Sequence, residues 1–329
     1  MKRTDVIITT FIILACGCTA QKSEKTAMSV AVAPVKVQSF KAPALAVLKN
    51  SFSDPSPYIR NHAIEVALST GQKQMITEVI QKLDDDFAAV RFTAAVAIGD
   101  MDCQTCRDLL NKALRDKDEN VCIAAAYALV KLGDKSHYQR IRDAAVSPDG
   151  TLRANALLLI GKLRNPDDVR LLYNALKDLE AQDKVHLQAV DSLAMMKDAK
   201  IYKSKLWPLL ISKYADDRVM GIRGMGALAT KEATDAIEKT LKNDDILEVR
   251  LIAAEELGRL GNTKGLEEVV RYFQTNPNLN ESTMATGTAV AAIGKIKPNI
   301  LTGYLAKSLE SQSPYLRLVA AQSVLLMAP

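Results

Sequence analysis

A ten-residue pattern returns nine times along this chain, and that recurrence limits the fold more than any other feature. It reads as an aliphatic residue, often Arg next, Ala at the fourth position after the aliphatic one, Leu or Ile at the eighth, and often Gly at the ninth. The clearest copies are VRFTAAVAIG (90–99), LRANALLLIG (152–161) and VRLIAAEELG (249–258). Weaker copies start at Ile59, Val121, Val185, Met220, Ala285 and Leu316. Starts are 29 to 36 residues apart, most often 31. A second apolar-periodic stretch follows each copy, as at 107–114, 169–176, 234–241 and 266–273. Each unit therefore reads as two helices joined by a tight turn. A unit of that size cannot hide its apolar stripe alone, so neighbours must stack.

The pattern positions have physical roles. Aliphatic residues at positions zero and eight, with Ala at four and seven, share one helical face. Alanine at the contact lets helices approach closely. The chain is 48% hydrophobic but only 5% aromatic, and its apolar material is mostly Ala and Leu, both strong helix formers. Gly at position nine suits a helix C-terminus with positive φ. Asp54, Asp85, Asp149 and Asp244 precede the pattern helices and are expected to cap them. Arg60, Arg91, Arg153, Arg250 and Arg317 recur at position one and are expected to form a structural ladder with acidic groups of adjacent units.

Copies with Val-Arg, an Ala pair and Leu-Gly resemble HEAT repeats of the short type first noted in phycobilisome lyases. The Trp-x2-Leu-Gly-x2-Tyr and Thr-Pro-Leu-His signatures of two other repeat classes are absent. The resemblance extends over 42–329. It implies an all-α, alpha-alpha superhelix (a HEAT/armadillo-like solenoid) of about nine helix-turn-helix repeats. It also implies a right-handed sense, with the second helix of each pair on the concave side and protein partners docking there.

The first residues read differently. Lys2 and Arg3 precede an apolar run at 6–14, and small residues and cysteines follow. That is the layout of a secretory signal, and the run is too short to span a bilayer, which takes about 20 residues. Ile13-Leu14-Ala15-Cys16 resembles the bacterial lipobox, which implies a diacylglycerol-modified cysteine. Cys16 is the favoured acceptor and Cys18 the alternative. The expected division is a signal peptide at 1–15, a lipidated N-terminus and tether at 16–41, and the solenoid at 42–329. The expected location is the cell envelope, on the outer membrane facing the periplasm.

Little in the chain points to chemistry. Cys103 and Cys106 form one C-x-x-C with no second pair to complete a four-thiolate zinc site. A disulfide between them, a bridge from one to Cys122, and inert burial all stay open. His62, His137 and His186 fall in three different units. A net charge of +5 comes from 43 basic and 38 acidic residues interspersed along the chain, without the basic footprint that nucleic acid requires. Departures from the repeat gather around Trp207, the only tryptophan. Trp, Tyr and Arg dominate binding energy at interfaces, so Tyr138, Arg170, Tyr173, Tyr202, Lys203, Trp207 and Tyr272 are the candidate partner-binding residues. The expected function is an envelope-anchored, monomeric scaffold that binds a protein through its concave face. No catalysis, cofactor, metal or nucleic acid is expected, and the membrane is touched only through the lipid. The alternatives are a bilin lyase-like enzyme and a binder of cell-wall peptide or polysaccharide.

Overall fold

The computed structural model describes residues 30–279 and 283–329. The expected signal peptide, Cys16, Cys18 and most of the expected tether lie outside the described residues. The rest is all α-helical, in nine pairs: α1 (Lys41–Ser51) with α2 (Pro57–Ser69), α3 (Ile76–Gln81) with α4 (Ala88–Asp100), α5 (Arg107–Ala113) with α6 (Glu119–Lys131), α7 (Tyr138–Ala144) with α8 (Gly150–Leu163) and α9 (Val169–Lys177) with α10 (Asp183–Met195). The remaining pairs are α11 (Trp207–Leu210) with α12 (Ala215–Leu228), α13 (Lys231–Asn243) with α14 (Leu247–Arg259), α15 (Leu266–Thr275) with α16 (Met284–Ile296) and α17 (Thr302–Leu309) with α18 (Pro314–Met327). The even helices carry the repeat pattern. The fold is a HEAT-like α-solenoid.

Even helices pack directly on one another in sequence, from α2·α4 through α16·α18, whereas odd helices pack on the even helices beside them and hardly on one another. On a curved stack, the helices that converge lie on the inner side. The pattern helices are therefore the concave layer and the odd helices the convex one. This reverses the expected layering, in which the helix after each pattern copy faced inward. The pattern helices win because their small residues permit the closest approach. Gly99 has no room for a side chain: a Cβ there would lie 2.6 Å from Ala128 Cα. At Gly161 the corresponding distance is 2.8 Å, to Ser192 Cα. These position-nine glycines are thus interior contact points rather than left-handed caps. Positive φ falls a few residues later, at Gly71, Gly133 and Gly261 and at the non-glycine residues Asp102, Arg164, Lys197, Ala229 and Lys297.

The stack does not remain an open curve. α1 packs along α18, and α18 also touches α2. Gln322 donates to the Ser69 hydroxyl at 3.0 Å, and the Tyr58 and Tyr315 rings are 6.2 Å apart. The backbone N–H of Val35 donates to the Thr302 hydroxyl at 2.9 Å, and that hydroxyl lies 2.9 Å from the Val35 carbonyl. Lys41 Nζ donates to the Pro329 carbonyl at 2.7 Å. The first and last units meet, and the solenoid is a closed ring of nine units. Even helices run parallel around it, so every turn that feeds one lies on one edge, and every turn that leaves one lies on the other.

Candidate functional site at the edges and inner wall of the ring

The arginine ladder organises the first edge. Arg60 Nε and Nη2 donate to the two Asp85 carboxylate oxygens, both at 2.7 Å. Its Nη1 meets the carbonyls of Asp54 and Pro55 at 2.9 and 3.0 Å. Arg91 repeats the arrangement on Asp116 at 2.8 Å, and Arg153 donates to Asp178 at 2.6 Å. Arg250 pairs with Glu268 at 2.9 Å. Each guanidinium reaches an acid 18 to 25 residues further on, and those of Arg60, Arg91 and Arg250 also hold carbonyls of their own entry turns. Arg317 binds only the carbonyls of Ser311 and Gln312, so this rung has no carboxylate at the seam.

One rung escapes the sequence pattern. Arg218 donates to Asp244 at 2.7 and 2.9 Å, yet it precedes the copy assigned to Met220. Starting that copy at Asp217 puts Arg218 in the arginine place and evens the spacing on either side to 32 residues. Gly221 in the alanine position disguised it. Of the expected caps, only Asp149 caps in the strict sense, accepting from Thr151 and Leu152 N–H at 2.7 and 3.1 Å. Asp54, Asp85 and Asp244 instead accept from the N–H two residues on, and Asp85 and Asp244 serve as ladder partners. Burial would raise the carboxyl pKa of Asp85, Asp116 and Asp244. The arginine and backbone N–H bonds outweigh it and hold all three below the usual range.

The seven candidate partner-binding residues do not gather on a concave face. All lie on convex-layer helices or on the π-helical turn Tyr202–Leu206 that leads into α11. Four of them clasp a neighbouring element. The Tyr138 hydroxyl donates to Asp168, a carboxylate it shares with Arg142. The Tyr173 hydroxyl donates to Asp198 at 3.0 Å and the Tyr202 hydroxyl to the Glu232 carbonyl at 3.4 Å. Tyr272 is buried with its hydroxyl 2.7 Å from that of Thr286, so it offers no surface. Burial first, then the Asp168 and Asp198 carboxylates, push the Tyr138 and Tyr173 hydroxyls up to about 12. Arg170 and Lys203 are exposed. Trp207, half-buried against Tyr202 at 6.3 Å, lines a shallow groove with Leu210, Ile211 and Ala236.

The inner wall is built by pattern positions three, six and ten. Lys162 of α8 reaches past α6 to Asp100 of α4 at 2.8 Å, and the buried Tyr127 donates to the same carboxylate at 2.6 Å. Arg223 faces Glu256 at 3.6 Å and Glu255 at 4.0 Å. Near the seam, the His62 ring makes a triangle with the Tyr58 and Tyr315 rings, at 6.3 and 5.8 Å from them. Burial depresses the His62 pKa and raises Glu65, Glu255 and Asp191, the last to about 6. Among the described residues, no three His, Cys, Asp or Glu side chains come together as a metal site. Cys103 and Cys106 are joined as a disulfide in the turn before α5. Cys122 stays a free, buried thiol whose Sγ lies 3.2 Å from the Asp116 carbonyl.

The edges differ sharply. Among the described residues, the exposed large apolar side chains are Tyr58, Phe87, Val146, Leu179, Ile211, Tyr214, Ile246 and Met284. All eight lie in turns that feed even helices or on the first two residues of those helices. Leu179 is 89% exposed and Met284 73%. The turns at the opposite edge, such as 70–75, 132–137 and 260–265, expose no large apolar side chain. Sequence reasoning could not find this edge, because no unit contributes more than two isolated residues to it and two units contribute none. Their position just before the pattern helix was the available signal.

Fold and geometry together define the class, an α-solenoid of HEAT-like repeats closed into a ring. The family model for HEAT repeats matches residues 76–153. Among curated proteins, none matches the chain in sequence. Similar solved structures include the complex of CpcE and CpcF of phycocyanin lyase from Nostoc sp. PCC7120, at 17% identity and a TM-score of 0.40 over 76% of this chain and 94% of that one. Human deoxyhypusine hydroxylase is similar at 18% identity and a TM-score of 0.36, over 89% and 99%. Kap121p is similar at 13% identity and a TM-score of 0.37, over 85% and 37%.

Proposed function

We propose that this protein is an envelope-anchored scaffold that binds another protein at the apolar edge of its ring and performs no chemistry itself. The observation that carries this reading is the confinement to one edge of all eight large apolar side chains exposed among the described residues. Scattered single apolar residues are ordinary on a surface, whereas residues gathered on one face mark a contact site. The docking surface is thus this edge rather than the concave wall, where Lys162, Tyr127, Arg223 and their acidic partners are engaged with one another.

The anchor fits the same geometry. Val35 and Lys41 fasten the N-terminal segment beside Thr302 and Pro329, at the edge opposite the apolar one. A lipid on Cys16 would tether the ring through the segment that joins it at that opposite edge. Two measurements test this. Cys16→Ala should release the protein from the membrane fraction, and retention of the double variant Cys16→Ala/Cys18→Ala would rule out a lipid anchor at either residue. A photo-crosslinker at Leu179 or Phe87 should yield a discrete protein adduct in the intact envelope, and one at Lys135 should not. Equal adducts from both edges, or none from Leu179 and Phe87, would refute the docking reading.

A further inference from the structure

The apolar edge is also charged, and its charge runs against that of the molecule. In the described turns and first residues at 53–58, 84–89, 115–120, 146–151, 178–184, 211–217, 244–248 and 310–315, ten exposed carboxylates stand against four exposed cations. The chain as a whole carries +5. At the opposite edge, the turns at 70–75, 101–106, 132–137, 164–168, 196–201, 229–230, 260–265 and 297–301 expose seven cations against two carboxylates. Helix capping explains part of this, since acids favour N-termini. It does not explain the extra carboxylates beside the apolar tips. Phe87 follows exposed Asp84 and Asp86, Leu179 precedes Glu180, and Ile246 follows Asp245. The ladder arginines do not cancel these acids. They sit beneath the surface, held by Asp85, Asp116, Asp178, Asp244 and Glu268. Exposed lysines of the same end, Lys49, Lys112, Lys177 and Lys242, sit on the last turns of convex helices, to the outer flank.

We infer that this edge takes a basic segment of a partner protein, one that alternates Lys or Arg with apolar side chains. This rests on the docking reading above and specifies its occupant. The apolar tips supply buried area, and the flanking carboxylates select and steer cationic side chains. An anionic membrane surface is disfavoured by the same carboxylates. A second copy could offer its basic edge, but that edge has no exposed large apolar side chain to meet Leu179 or Phe87, and head-to-tail contact would propagate without closing.

The test uses the chain from residue 19 onward and two labelled 15-residue peptides. Both carry the same Leu and Phe residues, one with Lys and the other with Glu at the polar positions. Fluorescence anisotropy at low and moderate salt reads the binding. The Lys peptide is expected to bind at least tenfold more tightly than the Glu peptide and to weaken as salt rises. The variant D84N/D86N/E180Q/D245N should lose about tenfold for the Lys peptide and flatten its salt dependence. F87S/L179S/I246S should weaken binding without removing that dependence, and K135Q/K197Q/K264Q at the opposite edge should leave it unchanged. Equal binding of the two peptides, or an unaltered Lys-peptide affinity in the carboxylate variant, would overturn the basic partner. If the apolar variant weakened both peptides in that case, the docking edge would survive without it. Binding unaffected by the apolar variant would remove the docking edge itself. Self-association of the unliganded chain that the opposite-edge variant abolishes would make a second copy the occupant and overturn the proposal. Circular dichroism on each variant confirms that the ring is folded.

Discussion

At the scale of single residues, the energetics centre on buried charge. Arg91 is only 5% exposed and ties its own entry turn to Asp116 of the next unit. Arg91→Ala leaves that acid partly buried and unpaired, so the expected loss is about 2–4 kcal/mol in denaturant unfolding. Arg91→Lys should recover only part of it, because an ammonium cannot make the paired Nε and Nη2 contacts. Asp191 behaves in the opposite sense. Burial, only partly offset by Arg223, raises its pKa to about 6, above its unfolded value, so the fold favours the neutral acid. Its ionisation therefore erodes stability as pH rises from about 4 to 6, with the full cost present above 6. Asp191→Asn should stabilise the protein at pH 7 by about 1–3 kcal/mol and make little difference at pH 3. Denaturant midpoints at the two pH values, with a carboxyl NMR titration of Asp191, check this.

At the scale of elements, close helix approach decides which layer lies inside. A methyl group at Gly99 would meet the Ala128 backbone at 2.6 Å, and a helix backbone cannot move aside cheaply. Gly99→Ala should cost about 1–3 kcal/mol despite alanine's higher helix propensity, whereas Gly71→Ala, with open space but positive φ, should cost about 1 kcal/mol through backbone strain alone. Thermal melts of the two variants separate crowding from strain. Helix type, unit length and the alanine-rich contact face were all legible in the chain, because they depend on spacings of three and four residues. The use of position-nine glycine was not. Glycine favours both a left-handed cap and a tight contact, and only the neighbouring helix decides between them. Arg218 was hidden for a related reason: Gly221 occupies the place where the other copies of the pattern show alanine.

At the scale of the molecule, ring closure changes how stability is shared. A linear solenoid frays from its ends, since terminal units have one neighbour. Here α1 covers α18 and the seam is bonded through Ser69, Gln322, Val35 and Thr302. Deleting residues 1–54 should therefore raise amide exchange in α18, at the far end of the chain, as well as in α2, and leave α10 protected. Loss confined to α2 would show that the ends are independent. Arg317 meets no carboxylate at the seam, so the ladder does not extend across it and packing of α1 on α18 holds the ends together.

The amino-acid sequence by itself determined the helices, the nine-fold recurrence, the alanine contact face and most of the arginine rungs, since each depends on side chains within one unit or between consecutive units. Tertiary structure alone decided that the ends meet, that the pattern helices form the inner layer, and that apolar and acidic side chains share one edge. Closure sums the rotations at successive interfaces. About 40° per unit brings nine units full circle, and a few degrees' difference at each would leave the ends apart. No local spacing records that sum, and so none foretold an edge whose members stand some thirty residues apart in the chain.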